Sequence, residues 1–322
     1  MKARIWTFKL TALLLSSVVG LGLAELSLRL LFAGSFHKDD PARVLMYQYD
    51  QELGWFPRVN VYGRLSAVRT INVTNNSQGF REREPRADPR PTIMFLGDSF
   101  VWGFDVEDPE RFTNLLQAKH PEWNIRNCGI CGYGTDQEFL LLKRYFDRFK
   151  PRLVFLVFCS DNDDEDNSSN IRSDGYYKPY FTAEGGRLTM HGIPVPRAER
   201  AFSSEHKLAR RSCVAQLLVR AYFKLTSPRS IHPQGPPQAL TGLILREMQL
   251  YITGKGASFA VGIQGPCPEL EDFLKHLGIP CVDLTTTSPS ARYTDLGRHW
   301  TPEGHAFVCN QVENFLRPAT NQ

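Results

Sequence analysis

The sequence carries little excess charge of either sign. Its 38 basic and 34 acidic residues leave a formal net charge of +4 over 322 residues, and no stripe interleaves arginine with aromatic side chains. A nucleic-acid partner is therefore not expected. The seven cysteines, Cys128, Cys131, Cys159, Cys213, Cys267, Cys281 and Cys309, lack any repeated metal-ligand spacing, and their odd number leaves at least one thiol unpaired within a single chain. Cys267 and Cys281 flank a predicted helix and could bridge in an oxidising compartment, but the connectivity stays open. No internal repeat is present. What the chain does contain is apolar material, 42% of its residues, enough for the core of one large α/β domain or two small ones.

The uncharged residues are concentrated at the start. Lys2, Arg4 and Lys9 precede the uncharged run Leu10 to Ala24, after which Glu25 and Arg29 interrupt an apolar stretch that continues to Phe32. Such a segment directs export. Read as an uncleaved anchor, its basic start stays in the cytoplasm and the rest of the chain crosses the membrane once. Read as a cleaved signal peptide, Gly22-Leu23-Ala24 supplies the small-x-small site and the product is secreted. The anchor is preferred, because the stretch reaches the ~20 residues of a membrane span only by running past Ala24. Both readings put residues beyond 33 outside the cytoplasm.

Residues 34–90 are rich in turn formers and short alternations, among them Asn76-Ser77-Gln78-Gly79-Phe80-Arg81, and read as a lead-in segment packed on a core. From Pro91 the pattern alternates strands at 92–96, 123–127 and 153–158 with helices at 109–119 and 135–149. It resumes with a helix at 239–254, a strand at 258–263, a helix at 268–277, a strand at 280–283 and a helix at 302–316. This rhythm predicts an α/β domain over 91–322 with a parallel sheet covered by helices. Residues 164–237 break the rhythm, hold a predicted helix near 207–224, and read as an insertion over the rim of a ligand crevice.

Three strand ends carry polar clusters. The first is Gly97-Asp98-Ser99, in which Ser99 stands between a buried strand and a helix, a position that exposes a hydroxyl for attack on a carbonyl and equally suits a helix N-cap. The frame is not Gly-x-Ser-x-Gly, because residue 101 is Val101. The second is the glycine-rich loop Asn127 to Thr135, where Gly132 offers a backbone N–H to a ligand or simply forms a turn. Its Cys128-x-x-Cys131 spacing matches a redox pair in the wrong place for one. The third is the acidic run Cys159 to Asn167. Asn162 can aim an amide N–H at an oxyanion. The run lacks the glycine and terminal glutamate of a calcium loop, so no metal site is assigned. Near the C-terminus, His299 precedes a helix started by Thr301 and Pro302 and can serve as general base. His305 reads as a packing or capping residue and the fallback base, and Asp295 is the nearest acid to orient the imidazole.

Taken together, Phe95-Leu96-Gly97-Asp98-Ser99, Gly132, Asn162-Asp163 and His299 resemble, in order and placement, the blocks of the SGNH (GDSL-like) hydrolase family over about 91–316. The resemblance implies a flavodoxin-like three-layer α/β/α sandwich and cofactor-free ester hydrolysis. It also implies Ser99 as nucleophile, His299 as base and an oxyanion hole of the Ser99 N–H, the Gly132 N–H and the Asn162 side chain. The lead-in motif and the N-terminal apolar segment are similar to membrane-anchored bacterial members, which implies a single-pass periplasmic enzyme. Two positions depart from the family pattern. The acid expected three residues before His299 is Leu296, with Asp295 one further back, and the glycine expected two before Asn162 is Ser160. The resulting expectation is an exported serine esterase acting on a small, acetyl-like ester, with no cofactor. The alternatives are an O-acyltransferase or deacetylase acting on cell-envelope or secreted polysaccharide, and a carbohydrate-binding protein on an inactive hydrolase scaffold.

Overall fold

The computed structural model describes the chain apart from residues 1, 33, 35, 37–45, 86–88, 173–174, 232–236, 295–297 and 321–322. In chain order, helix α1 (Lys2–Leu31) is followed by two hairpins, β1 (Tyr47–Asp50) with β2 (Gly54–Pro57) and β3 (Tyr62–Ser66) with β4 (Thr70–Thr74). An alternating region follows: β5 (Thr92–Leu96), α2 (Ser99–Trp102), α3 (Phe112–Lys119), β6 (Asn124–Asn127), α4 (Thr135–Phe149), β7 (Leu153–Cys159) and α5 (Asp163–Asn167). A third hairpin, β8 (Tyr180–Glu184) with β9 (Arg187–His191), and three helices, α6 (Glu199–Glu205), α7 (Lys207–Arg211) and α8 (Cys213–Thr226), interrupt it. The alternation resumes with α9 (Pro237–Gly254), β10 (Ser258–Gln264), α10 (Pro268–Leu277), β11 (Cys281–Asp283) and α11 (Pro302–Thr320).

These elements form two compact units, Met1–Pro41 with Arg197–Pro228, and Ala42–Pro196 with Arg229–Gln322. The 164–237 stretch, expected as one insertion, is thus divided between them. In the larger unit the five expected strands pair in the order β6-β5-β7-β10-β11, parallel throughout. Counted in chain order among themselves this is 2-1-3-4-5, the order of the flavodoxin-like sandwich.

The strands β5 and β7 are almost entirely apolar because both sheet faces are covered. Met94, Leu96, Leu156 and Phe158 cluster with Phe139, Leu142, Met248 and Leu274 of α4, α9 and α10. The alternate residues Ile93, Phe95, Phe155 and Val157 cluster with Phe112, Leu116, Val308 and Val312 of α3 and α11. Period-two side-chain alternation therefore feeds two helical layers, which is the three-layer arrangement expected.

The lead-in hairpins contribute to the same core through Leu53, Trp55, Phe56 and Phe80. Asn76 organises the turn that follows, its Oδ1 accepting from the Gln78 and Phe80 N–H groups at 2.9 and 3.1 Å. This turn delivers Arg81 into the interior. There its guanidinium donates to the carbonyls of Gly103, Val106 and Asn72 at 2.7, 2.8 and 3.1 Å, and pairs with Asp108 at 2.9 Å. The lead-in thus ties down the loop that leaves α2.

In the smaller unit, α1 carries exposed apolar side chains along its length, including Leu10, Leu14, Val18 and Leu23. It is the one described helix long and apolar enough to cross a membrane, over Arg4–Leu31. The helix predicted at 207–224 is broken at Ser212, because the Ser212 Oγ accepts the Ala215 N–H at 3.1 Å and starts α8 as a new helix. All seven cysteines are free thiols, so Cys267 and Cys281 do not bridge.

Candidate active site

The buried strand β5 ends at Leu96, and the chain turns within two residues into α2. A side chain at Gly97 would place its Cβ 2.3 Å from Val101 Cγ2, so only glycine permits this turn. Asp98 caps the new helix, its Oδ1 accepting the Phe100 N–H at 2.9 Å. Asp98 takes the N-cap, which leaves Ser99 at the first helical position with its hydroxyl unused by the helix. Burial pushes the Asp98 carboxyl above its ordinary range, opposed by that N–H and by the charges of His299 and Arg172.

His299 meets this hydroxyl. Its Nε2 lies 2.8 Å from Ser99 Oγ, although 200 residues separate the two. The imidazole is held by its surroundings. Its backbone carbonyl accepts the Tyr293 N–H at 2.9 Å, and the neighbouring Trp300 is fully buried with its indole donating to Gln264 Oε1 at 3.3 Å. The ring packs against Phe104, 4.6 Å away between centroids, and Phe100, 5.2 Å away. Asp295, the acid expected to orient it, lies outside the described residues.

The two remaining residues of the expected constellation follow β6 and β7, the strands on either side of β5. All three loops therefore leave the same edge of a parallel sheet, where the connections reverse direction and ligand crevices form. Gly132 has φ +79°, which disfavours any side chain there, and an added Cβ would lie 2.7 Å from the Arg172 guanidinium carbon. Neither the Ser99 nor the Gly132 N–H has a hydrogen-bond partner among the described residues. Asn162 stands at the N-cap of α5, and its Nδ2 donates to Asp166 Oδ2 at 3.0 Å and, in a longer and weaker contact, to Asp163 Oδ1 at 3.4 Å.

Behind the serine lies a set of buried carboxyls. Asp163 accepts the Cys159 N–H at 2.9 Å, and Asp136 pairs with the buried Lys178. Glu138 is fully buried and neither carboxyl oxygen has a hydrogen-bond partner among the described residues. Burial, together with the charges of Asp98, Asp136 and Asp166, pushes it well above the usual carboxyl range, which favours the neutral acid.

His305 does not share the environment of His299. Its Nδ1 accepts the Phe112 N–H at 3.3 Å at the start of α3, and its ring stacks on Phe112. Burial, with Arg111 and Arg81 nearby, lowers its pKa to about 3. It is a neutral capping and packing residue rather than a base. The Cys128 and Cys131 thiols are both pushed up by burial, Cys131 to about 12, the opposite of what a redox pair requires.

Two residues at the site carry no signal that a sequence reading could use. Phe104 and Arg172 belong to no motif, and only folding brings them to His299 and Gly132. Arg81 was visible as the end of a motif, but the loop it clamps was not.

No protein-family model matches the sequence, and no curated protein matches it. Solved structures do. A member of the lipolytic protein G-D-S-L family from Veillonella parvula aligns with 70% of this chain and 97% of its own at 12% identity and a TM-score of 0.41. The psychrotrophic esterase EstA from a Pseudoalteromonas species aligns with 72% of this chain and 99% of its own at 11% identity and a TM-score of 0.42. A two-domain esterase active on acetylated mannans aligns with 72% of this chain and 50% of its own at 13% identity and a TM-score of 0.40.

Proposed function

We propose that the chain is a serine esterase of the SGNH (GDSL-like) type, held at the membrane by α1 with its larger unit outside the cytoplasm, and that it removes a small, acetyl-like acyl group. The observation that carries this reading is the 2.8 Å approach of His299 Nε2 to Ser99 Oγ at the reversal point of a parallel sheet. The anchor part is supported by α1, exposed and apolar from Arg4 to Leu31 behind a basic start.

In the mechanism, His299 takes the Ser99 proton as Oγ attacks the ester carbonyl. The tetrahedral oxyanion is bound by the Ser99 and Gly132 N–H groups, which have no other partner among the described residues, and by the Asn162 amide N–H, which exchanges its long 3.4 Å contact to Asp163 for the oxyanion. Collapse breaks the bond to the alkoxy oxygen, which leaves with the proton carried by His299. Water then attacks the acyl-serine while His299 takes one of its protons. The second collapse returns that proton to Ser99 Oγ and releases the carboxylic acid. Phe100 and Phe104 pack against the imidazole. Arg172 lies against Gly132 and Phe104 against His299, and large side chains beside two members of the site favour a short acyl group.

The test is product analysis with acetyl, butyryl and octanoyl p-nitrophenyl esters, with and without an oligosaccharide acceptor. Release of free acetate, fastest for the acetyl ester, is expected. Transfer of the acyl group to sugar in preference to water would replace the esterase reading with an acyltransferase. No turnover of any ester would leave a binding protein.

A further inference from the structure

Helix α8 is apolar on two opposite sides, and only one is covered. Cys213, Gln216 and Phe223 are buried on one side. On the other, Leu218, Tyr222 and Leu225 recur at i, i+4 and i+7 and are 66%, 61% and 85% exposed. A helix of a soluble domain carries polar side chains on such a face.

The start of α8 is fixed to α1. Glu25 accepts from Ser212 Oγ at 2.9 Å and from the Cys213 and Val214 N–H groups at 3.0 Å each, which satisfies donors that a helix start leaves unpaired. Arg29 pairs with Glu25 at 2.7 Å and donates to the Arg211 carbonyl. These contacts explain why an apolar helix carries an ion pair in its last turns. They also set a level. The uncharged run Leu10 to Ala24, most of one span, ends where Glu25 meets α8, and the exposed Leu26, Leu30 and Leu31 continue the apolar stretch beyond it. Residues 206–229 contain six basic and no acidic side chains, a balance suited to anionic phospholipid.

We infer that α8 is an interfacial membrane helix, whose Leu218, Tyr222 and Leu225 face enters the outer boundary of the bilayer that α1 spans. This rests on α1 being a retained anchor. The exposed face belongs to a helix whose start is bonded to the last turns of α1, and its occupant is lipid.

The test uses the full chain in vesicles of phosphatidylcholine and phosphatidylglycerol. A photo-crosslinking p-benzoylphenylalanine replaces, one at a time, Leu14 of α1, Leu218, Tyr222, or the exposed Tyr62 of the larger unit. Lipid adducts are expected at positions 14, 218 and 222, at least about tenfold above position 62. No adduct at 14 would overturn the anchor and this inference with it. Lipid at 14 but not at 218 or 222, or crosslinks there to a second copy of the chain, would overturn this inference and leave the anchor standing. Tyr222→Trp, a conservative change, gives a second readout. Its fluorescence should be quenched by lipids brominated on the acyl chain, and an unquenched Trp contradicts the insertion.

Discussion

His299 and His305 lie six residues apart in one motif, and the structure gives them opposite tasks, which makes His305→Asn an informative perturbation. Asparagine keeps an acceptor near the Phe112 N–H but cannot titrate. In the wild type the folded state holds His305 near pKa 3, against 6.5 for an ordinary imidazole. The folded pKa is depressed, so the contribution to stability is complete above about 6.5 and is lost as pH falls towards 3. The limiting slope is about 1.4 kcal/mol per pH unit. At pH 5 this one group favours unfolding by about 2 kcal/mol relative to pH 8, and the full loss approaches about 5 kcal/mol below pH 3.

Urea unfolding of the full chain in detergent micelles, followed by tryptophan fluorescence between pH 8 and 5, reads this directly. Trp300 lies 5.4 Å from the His305 ring and serves as a local reporter. The variant should be less stable at pH 8, because ring packing against Phe112 is lost, and the gap to wild type should shrink by about 2 kcal/mol by pH 5. Ester turnover per folded molecule should persist. A gap independent of pH, or loss of turnover with the fold intact, would refute the assignment of His305 to structure.

Two further predictions follow from the site. Asn162→Ala should lower kcat about 10²–10³-fold with little change in KM, as loss of an oxyanion donor does; an effect confined to KM, or none, removes Asn162 from the oxyanion hole. Glu138→Gln should gain stability relative to wild type as pH rises. The folded carboxyl of Glu138 is raised, so its contribution is complete below the ordinary carboxyl range and declines as pH climbs towards the folded value. Unfolding midpoints measured from pH 5 to 8 that keep a constant difference would show that Glu138 is ionised in the fold.

The sheet was legible because its chemistry is local. The apolar runs at 92–96 and 153–158 are too continuous for anything but strands covered on both faces, and the helices between them show their period. The β8–β9 hairpin has a sign in the sequence: Gly185 and Gly186 both have positive φ, and two glycines between alternating strands form a tight hairpin turn. The break at Ser212 was likewise present as an N-cap residue inside an otherwise continuous helical pattern. The setting of the site was less accessible. Arg172 at Gly132, Phe104 on His299 and Arg81 under the loop after α2 depend on packing between distant segments, and no spacing in the chain encodes them. Glu25 and Arg29 read as interruptions of an apolar run, and only the fold reveals that Glu25 caps α8 and that Arg29 pairs with it and donates to the end of α7.

The central claim is that Ser99 Oγ is made nucleophilic by His299, and stoichiometric labelling of the full chain with a fluorophosphonate tests it most directly. Intact-mass and peptide analysis should find one adduct per chain, on Ser99, absent in Ser99→Ala and formed at least about a hundredfold more slowly in His299→Ala, as expected for loss of a general base. Labelling that survives Ser99→Ala, or that proceeds at the wild-type rate without His299, would contradict the account.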